Sequence, residues 1–289
     1  MIDWLRNVFG NEWIALLVII VIGGALYLRH HYQKRPSHSR YWVNDNKRHA
    51  RVKFNDDEVT IINVRDFHWR TGYDYDERWV DMTFRLDQVA KIWLVLEYFD
   101  QRNRLMAHTI LSFEFDDGSR IACSIEVRRR RGKQFNPVMG LLRKFELIYV
   151  WSTERDVIGV RTRCRKRSET HLFEGVVLNT GNERRMLESY LRRTNEIHEH
   201  PQWYNTATNT CTTNIVRHIN EVYPGRIPAA LSVIMPGISP RFLRRKNLVV
   251  HDGTTLRQMM RDSIVDEKAA EWDGISDFGD CIRGHNRLV

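Results

Sequence analysis

The segment of residues 13–28 constrains what this chain can fold into more than any other feature, because it is uncharged and almost entirely apolar. It is slightly shorter than a usual membrane span of about 20 residues, but aromatic residues flank it, and tilt or snorkelling of flanking side chains is tolerated. A cleavable signal peptide is the alternative. The basic run of residues 29–35 is more typical of an anchor's flank than of a processing site. We therefore predict that residues 1–35 form an uncleaved N-terminal transmembrane anchor.

The rest of the chain divides into three parts by composition. Residues 36–57 are polar and contain few apolar residues, which is typical of a linker. Predicted strands and helices follow one another over residues 58–222, a segment long enough to bury a core. After Tyr223 four prolines interrupt the pattern within a short stretch, so residues 223–289 are predicted to be an extension of short helices and loops packed on the domain.

Apolar periodicity within the domain predicts both strands and helices. Predicted strands lie at residues 58–64, 89–99, 106–115, 120–127, 147–151 and 170–178. Predicted helices lie at residues 135–145, 154–160 and 183–198. Their order predicts an α+β fold in which helices pack on an antiparallel sheet.

A cysteine lies where a helix is predicted to begin. Residues 204–210 are rich in Asn and Thr, which favour turns and helix N-caps, so the helix is predicted to start at about Thr210. Cys211, Ile215 and Ile219 then recur at helical spacing, which places the thiol on the first turn of an inward-facing stripe. Unpaired N–H groups and the helix dipole favour a thiolate there. A small buried hydrophobe is the alternative reading of Cys211.

A cysteine nucleophile needs a base, and a predicted β-hairpin supplies a candidate. Residues 106–115 and 120–127 are joined by the turn Asp116-Asp117-Gly118. A three-residue loop would place His108, Ser124 and Glu126 on one face, whereas a two-residue loop would place the carboxyl group on the other. We regard His108 as the candidate base and Glu126 as the candidate that orients its ring. A histidine satisfied locally and a solvated glutamate are the alternatives.

Charge indicates the kind of partner. An excess of nine positive charges favours an anionic neighbour, either nucleic acid or phospholipid. No zinc-finger, RNA-binding or basic-zipper pattern accompanies the charge, so we expect no nucleic acid partner. The densest basic run is predicted to contact anionic lipid head groups, with a solvated charge run as the alternative. Its arginines are Arg128, Arg129, Arg130 and Arg131.

The four cysteines show no C-x-x-C pair and no metal-ligand grouping. They are Cys123, Cys164, Cys211 and Cys281. We therefore expect neither a disulfide framework nor a metal site, and the sequence gives no sign of a cofactor.

Five segments occur in an order that resembles one bacterial family. They are Ala107-His108-Thr109-Ile110-Leu111-Ser112-Phe113, Ser124-Ile125-Glu126, Phe145-Glu146-Leu147-Ile148-Tyr149-Val150, Glu154-Arg155-Asp156-Val157-Ile158 and residues 204–215. Together they are similar to the family of the Lnb N-terminal periplasmic domain, which is marked by one histidine and an Asn-Cys-Thr motif. The resemblance extends over residues 59–218.

This resemblance implies a permuted fold of the NlpC/P60, papain-like type, in which the histidine precedes the cysteine. By position it places His108 on the family histidine and Cys211 on the family cysteine. The residue before the cysteine is Thr210 here where the motif has Asn, and Asn209 lies one position earlier. The supporting residues are Asn209, Thr210, Thr212 and Ser124. The family's named member is a lipoprotein N-acyltransferase.

The resemblance and the flanking charges disagree on orientation. More cations follow the apolar run than precede it, so the positive-inside rule places the large domain in the cytoplasm. The resemblance places it in the periplasm, where lipoproteins are modified. We follow the resemblance and expect a single-pass protein of the bacterial inner membrane with a periplasmic domain.

These features predict a cysteine-dependent acyltransferase or hydrolase that acts on a lipidated or envelope substrate, with lipoproteins among its partners. Cys211 would attack a carbonyl carbon and His108 would transfer the proton. One alternative is a cysteine peptidase or amidase acting on peptide or peptidoglycan with the same dyad. The other is a non-catalytic envelope-binding scaffold that keeps the fold.

Overall fold

The computed structural model describes residues 12–32, 35–134, 136–228 and 236–285. The chain forms two compact units, Met1–Ser39 and Arg40–Val289. In the first unit, helix α1 (Glu12–Tyr32) leaves large apolar side chains such as Trp13, Leu17 and Ile20 exposed. Over the described residues, no helix combines the length and the apolar character needed to cross a membrane. The transmembrane helix predicted from the apolar run is therefore not confirmed.

The described part of the second unit contains ten strands. They are β1 (Arg51–Asn55), β2 (Glu58–Arg65), β3 (His68–Trp69), β4 (Tyr75–Asp76), β5 (Trp79–Arg85), β6 (Val89–Tyr98), β7 (Ala107–Phe115), β8 (Arg120–Arg128), β9 (Glu146–Ser152) and β10 (Glu169–Glu174). Eight of them form one sheet in the order β1-β2-β9-β8-β7-β6-β10, with β5 paired to β2. Strands β3 and β4 form a separate pair.

In the described part of the second unit, the helices lie between the strands and after them. They are α2 (Pro137–Leu141), α3 (Glu154–Val157), α4 (Gly159–Cys164), α5 (Asn182–Glu199), α6 (Cys211–Val222), α7 (Ser239–Arg245), α8 (Leu256–Asp262), α9 (Asp266–Ala270) and α10 (Phe278–Arg283). The predicted α+β class is confirmed.

The sheet is mixed, which corrects the prediction of an antiparallel sheet. Strand β2 pairs with β9 in parallel through Arg65 and Ser152, whereas the other pairings of the large sheet are antiparallel. A long stretch of chain separates β2 from β9, so no short hairpin loop forces the two strands to be antiparallel. The predicted hairpin of β7 and β8 is confirmed, with Ile110 opposite Ser124.

Both faces of the sheet are covered, which explains why its central strands are apolar almost without interruption. On β7, Leu111 and Phe113 face a core that includes Leu187 and Tyr190 of α5 and Ile215 of α6. The preceding residue, Ile110, faces a second core formed with residues of α3, α9 and α10.

Residues 40–57 are packed on the domain, which differs from the predicted polar linker. Strand β1 pairs with β2, and the Asn195 side chain bonds both the N–H and the carbonyl oxygen of Val52, each at 2.8 Å. Trp42 and Asn46 are buried as well. The polar groups of Asn46 form hydrogen bonds with Arg128 and Glu126, which are distant in the sequence. Composition does not reveal such partners, so it does not predict that this polar segment is buried. The strand at residue 58 is accordingly the second strand and not the first.

The C-terminal segment packs against the second core. Arg120 donates to Asp277 and Asp280, at 2.9 and 2.7 Å, and Arg283 donates to the buried carboxylate of Glu154 at 2.7 Å. These contacts hold α10 against the turn end of the β7–β8 hairpin and against α3.

Candidate active site

Cys211 is the first residue of α6, as the Asn- and Thr-rich sequence predicted. Thr210 caps the helix: its hydroxyl accepts from the Thr213 N–H at 3.2 Å, and the Thr213 hydroxyl accepts from the Thr210 N–H at 2.7 Å. This capping box fixes the first turn. The N–H groups of Cys211 and Thr212 belong to that turn, where a helix has no carbonyl of its own to offer them.

Asn214, which the sequence did not single out, holds the helix start in place. Its side-chain N–H₂ donates to the Thr210 carbonyl oxygen and to Asn209 Oδ1, each at 2.8 Å, and its oxygen accepts from Tyr149 OH at 3.2 Å. Asn209 in turn donates to the Trp203 carbonyl oxygen at 2.8 Å. The amide of Asn209 therefore supports the loop before Cys211.

His108, Ser124 and Glu126 lie on one face of the hairpin, in the arrangement expected for the longer loop. His108 Nε2 is 2.7 Å from Ser124 Oγ, and Ser124 Oγ donates to Glu126 Oε1 at 2.8 Å. Because the serine hydroxyl has one hydrogen, which goes to Glu126, its oxygen must accept from His108 Nε2–H. The neutral ring then presents Nδ1 as a proton acceptor. Glu126, the predicted orienting residue, thus bonds Ser124, which in turn bonds His108.

Cations surround the Glu126 carboxylate. Arg161 lies 3.2 Å from Glu126 Oε1 and also forms an ion pair with the buried Glu97. Glu97 is on the neighbouring strand β6, directly opposite His108. Burial raises the pKa of Glu126, but the charges of Arg161, Arg65 and His108 outweigh it and hold that pKa far below its usual range. Glu126 therefore stays ionised and remains an acceptor for Ser124. Arg161 and Arg65 come from distant segments, and no local motif marks them.

The pKa of the Cys211 thiol is lowered although the residue is only 6 % exposed. Burial raises its pKa, but the charge of His108, a hydrogen bond with His108 and a hydrogen bond from the Thr109 backbone lower the pKa to about 6. Burial instead raises the pKa of the other three cysteines, which are Cys123, Cys164 and Cys281. Cys211 is thus the one cysteine of the chain whose surroundings favour a thiolate near neutral pH.

Thr212 lies beside the thiol and bridges α6 to β7. Its hydroxyl is 3.7 Å from Cys211 Sγ and 3.3 Å from the hydroxyl of Thr109. The two threonines therefore hold the helix start against the strand that carries His108.

A cleft of about 960 Å³ opens onto Cys211, His108 and Glu126. Its walls combine apolar residues such as Met106, Ile125 and Val160 with several cations. The basic lining residues are Arg65, Arg129, Arg161, Arg165 and Lys166. Such a cleft has room for an apolar chain next to a negatively charged group.

The arginine run of residues 128–131 does not form a free basic patch. Arg128 is buried and donates to the carbonyl oxygens of Asn46 and Lys47, at 2.9 and 2.6 Å, so it cannot reach a lipid. Burial lowers its pKa to about 10. The other three arginines have protein partners.

Arg129 bonds Asp45, Arg130 bonds Glu146 at 2.9 Å, and Arg131 bonds Asn44 at 2.9 Å. The contacts of Arg129 and Arg131 fasten residues 44–45 to the segment after β8, and that of Arg130 joins this segment to β9. The buried Arg128 therefore cannot make the predicted contact with lipid. Lipid contact stays a prediction for Arg129, Arg130 and Arg131.

Among the residues that the structure describes, no group of three or more His, Cys, Asp and Glu side chains is arranged to hold a metal ion. The sequence profile of one protein family, described as the Lnb N-terminal periplasmic domain, matches residues 75–237, which is more than half of the chain. No curated protein and no solved structure matches the chain. The matched region contains His108, Ser124, Glu126 and Cys211.

Proposed function

This chain belongs to the family of the Lnb N-terminal periplasmic domain, and from that membership together with its site we propose that it is a cysteine-dependent acyltransferase or hydrolase of the cell envelope. The family assigns the protein to the envelope. One observation carries the proposed activity: Cys211 lies at a helix start and shares an open cleft with His108, whose charge helps to lower the pKa of the thiol to about 6. A structural cysteine has no need of such surroundings.

In the proposed reaction the Cys211 thiolate attacks the carbonyl carbon of an ester or amide. The carbonyl electrons move to oxygen, and backbone N–H groups at the start of α6 stabilise the resulting oxyanion. Imidazolium His108 donates its Nδ1 proton to the leaving oxygen or nitrogen as the bond to carbon breaks, which gives a thioester on Cys211. Neutral His108 then takes a proton from an acceptor amine or water, whose attack on the thioester releases the thiolate.

Ser124 and Glu126 keep the base in the right form for both steps. The neutral ring carries its hydrogen on Nε2 because Ser124 accepts there, so Nδ1 is free to take the proton. The ionised Glu126 takes the hydrogen of the Ser124 hydroxyl, which leaves the Ser124 oxygen free to accept from His108. Both effects support a Cys211–His108 pair that moves between thiolate–imidazolium and acylated states.

A lipidated substrate suits the walls of the cleft. Apolar side chains can take an acyl chain, and the exposed Lys166 in the cleft wall can take the charged head of a phospholipid or the modified end of a lipoprotein. The apolar side chains exposed along α1 support a further part of the proposal, that this segment attaches the chain to the inner membrane with the domain in the periplasm. A C-terminal alkaline-phosphatase fusion should be active, and an inactive fusion with an active cytoplasmic reporter would contradict this location.

Trapping the acyl-enzyme tests the activity. The full chain is produced in bacteria fed an alkyne-tagged fatty acid, quenched in acid and digested. Mass spectrometry should find a hydroxylamine-sensitive acyl group on the Cys211 peptide of the wild type and none in Cys211→Ser. Lipoprotein N-termini from cells with and without the chain should differ by one acyl group. Unchanged lipoproteins together with an unacylated Cys211 would contradict the proposed acyl transfer. A peptidase or a non-catalytic scaffold would then be the better explanation.

A further inference from the structure

Exposed apolar side chains gather at the mouth of the Cys211 cleft. Phe99, Leu105 and Met106 are 46 %, 50 % and 46 % exposed, and all three line the cleft. Tyr73 lines it too and is 95 % exposed. Single exposed apolar residues are common on soluble proteins, but several at one place mark an interaction site.

Two neighbouring loops form one side of this mouth. Residues 99–106 connect β6 to β7, and residues 165–168 connect α4 to β10. The Gln101 N–H donates to the Arg167 carbonyl oxygen at 2.9 Å, which joins the loops. We call these two loops the lip.

The lip is basic as well as apolar. It contains five cations, Arg102, Arg104, Arg165, Lys166 and Arg167, and one acid, Asp100. Arg104 is paired with Glu169 and Arg165 with Glu97, so carboxylates neutralise two of the cations. Arg102, Lys166 and Arg167 are exposed beside Phe99, Leu105 and Met106. A surface that places apolar side chains among exposed cations is complementary to anionic lipid, because head-group phosphates attract the cations and the interface accepts the apolar groups.

We propose that the lip docks the domain on an anionic phospholipid surface. Phe99, Leu105 and Met106 enter the head-group region, while Arg102, Lys166 and Arg167 contact phosphates. The cleft mouth then faces the lipid, so an acyl chain reaches Cys211 without crossing water. Docking does not depend on the activity of Cys211, whereas delivery of an acyl chain rests on the proposed function.

Site-specific photo-crosslinking of the full chain tests this docking. Leu105 is replaced by p-benzoylphenylalanine, the protein is reconstituted in vesicles of phosphatidylethanolamine and phosphatidylglycerol, and lipid adducts are counted by mass spectrometry. Phe54 is the control position, because it is 39 % exposed on β1, at the opposite edge of the sheet from β6 and β10. Adducts should form at position 105 and be rare at position 54. Phosphatidylcholine vesicles should give fewer at position 105.

Charge reversal gives a second readout in the same assay. The triple variant Arg102→Glu, Lys166→Glu and Arg167→Glu should lower the adduct yield at position 105 about tenfold or more, since each cation near an anionic surface contributes to binding. The matched variant Arg51→Glu, Lys53→Glu and Arg192→Glu changes three exposed cations on β1 and α5 and should have no effect.

Three results would overturn the docking: equal yields at positions 105 and 54, equal yields with anionic and neutral lipid, or no effect of the lip variant. A lip that instead binds an acidic protein would give the first result. Cys211→Ser should dock like the wild type, so intact docking without an acyl-enzyme would overturn the proposed function alone.

Discussion

Cys211 and Cys123 are both buried in the core on one face of the sheet, yet their surroundings give the two thiols opposite character. Cys123 lies in the middle of β8 and is 1 % exposed, and burial raises its pKa well above the ordinary value. Cys211 also loses water, but His108 and the Thr109 backbone reverse the effect and bring its pKa to about 6.

The comparison shows that burial alone does not decide what a cysteine does. Removing water disfavours a thiolate, and only charges and hydrogen bonds aimed at the sulfur compensate for that loss. The strand beside Cys211 begins at the cleft, where His108 and the Thr109 backbone act on the sulfur. Cys123 lies further along the sheet, in a cluster of packed apolar side chains.

The largest expected effect comes from exchanging the sulfur for oxygen at each cysteine. Cys211→Ser should lower turnover on the order of 10³-fold or more, because a hydroxyl is a far poorer nucleophile beside the same base. Cys123→Ser should leave turnover nearly unchanged and lower the free energy of unfolding by about 1–3 kcal/mol, because it buries an unsatisfied hydroxyl. Turnover and urea denaturation of both variants check this, and equal turnover of the two variants would remove the distinction.

Ser124→Ala tests how the base is set up. Without the hydroxyl, neither the Nε2 hydrogen nor the ring position is fixed, and we expect turnover to fall by about ten- to a hundredfold. The apparent pKa of Cys211 should rise because His108, whose charge lowers that pKa, is no longer held in place. Ser112→Ala is a matched control, since Ser112 lies on the same hairpin and bonds Glu154 at 2.6 Å, away from the cleft. Similar activity in both variants would show that Ser124 has no special role.

The smallest expected effect concerns the helix cap. Thr210→Ala should lower the free energy of unfolding by about 1 kcal/mol, because it removes the hydroxyl that accepts from the first turn. Thr210→Asn restores the family motif and should stay within about 0.5 kcal/mol of the wild type, since Asn caps helices at least as well as Thr. Chemical denaturation measures both. A large loss in Thr210→Asn would mean that the cap does not explain the departure from the motif.

Local sequence patterns were enough to find the parts of the site that depend on local rules. The Asn- and Thr-rich loop located the start of α6, and the short turn at residues 116–118 set which side chains share a face of the hairpin. His108, Ser124 and Glu126 were found this way. Their catalytic roles remain predictions.

The remaining parts depend on contacts between distant segments. Asn214 reads as an ordinary helix residue, and only the fold brings it to Asn209 and Tyr149. The sequence predicts that the arginine run is exposed, because residues 42–47, which contact it, have the composition of a linker. Composition describes each segment alone, whereas these polar groups are satisfied by each other across the domain.

The pH dependence of Cys211 alkylation tests the central claim most directly. The rate is measured with iodoacetamide from pH 4 to 10 and followed on the Cys211 peptide by mass spectrometry, in the wild type and in His108→Ala. As the pH rises, the thiolate should form through a midpoint near 6 in the wild type. Without His108 the effect of burial remains, so the midpoint should move to the ordinary thiol value of about 8.5 or above. Two superimposable profiles with a midpoint at or above the ordinary value would contradict the Cys211–His108 pair.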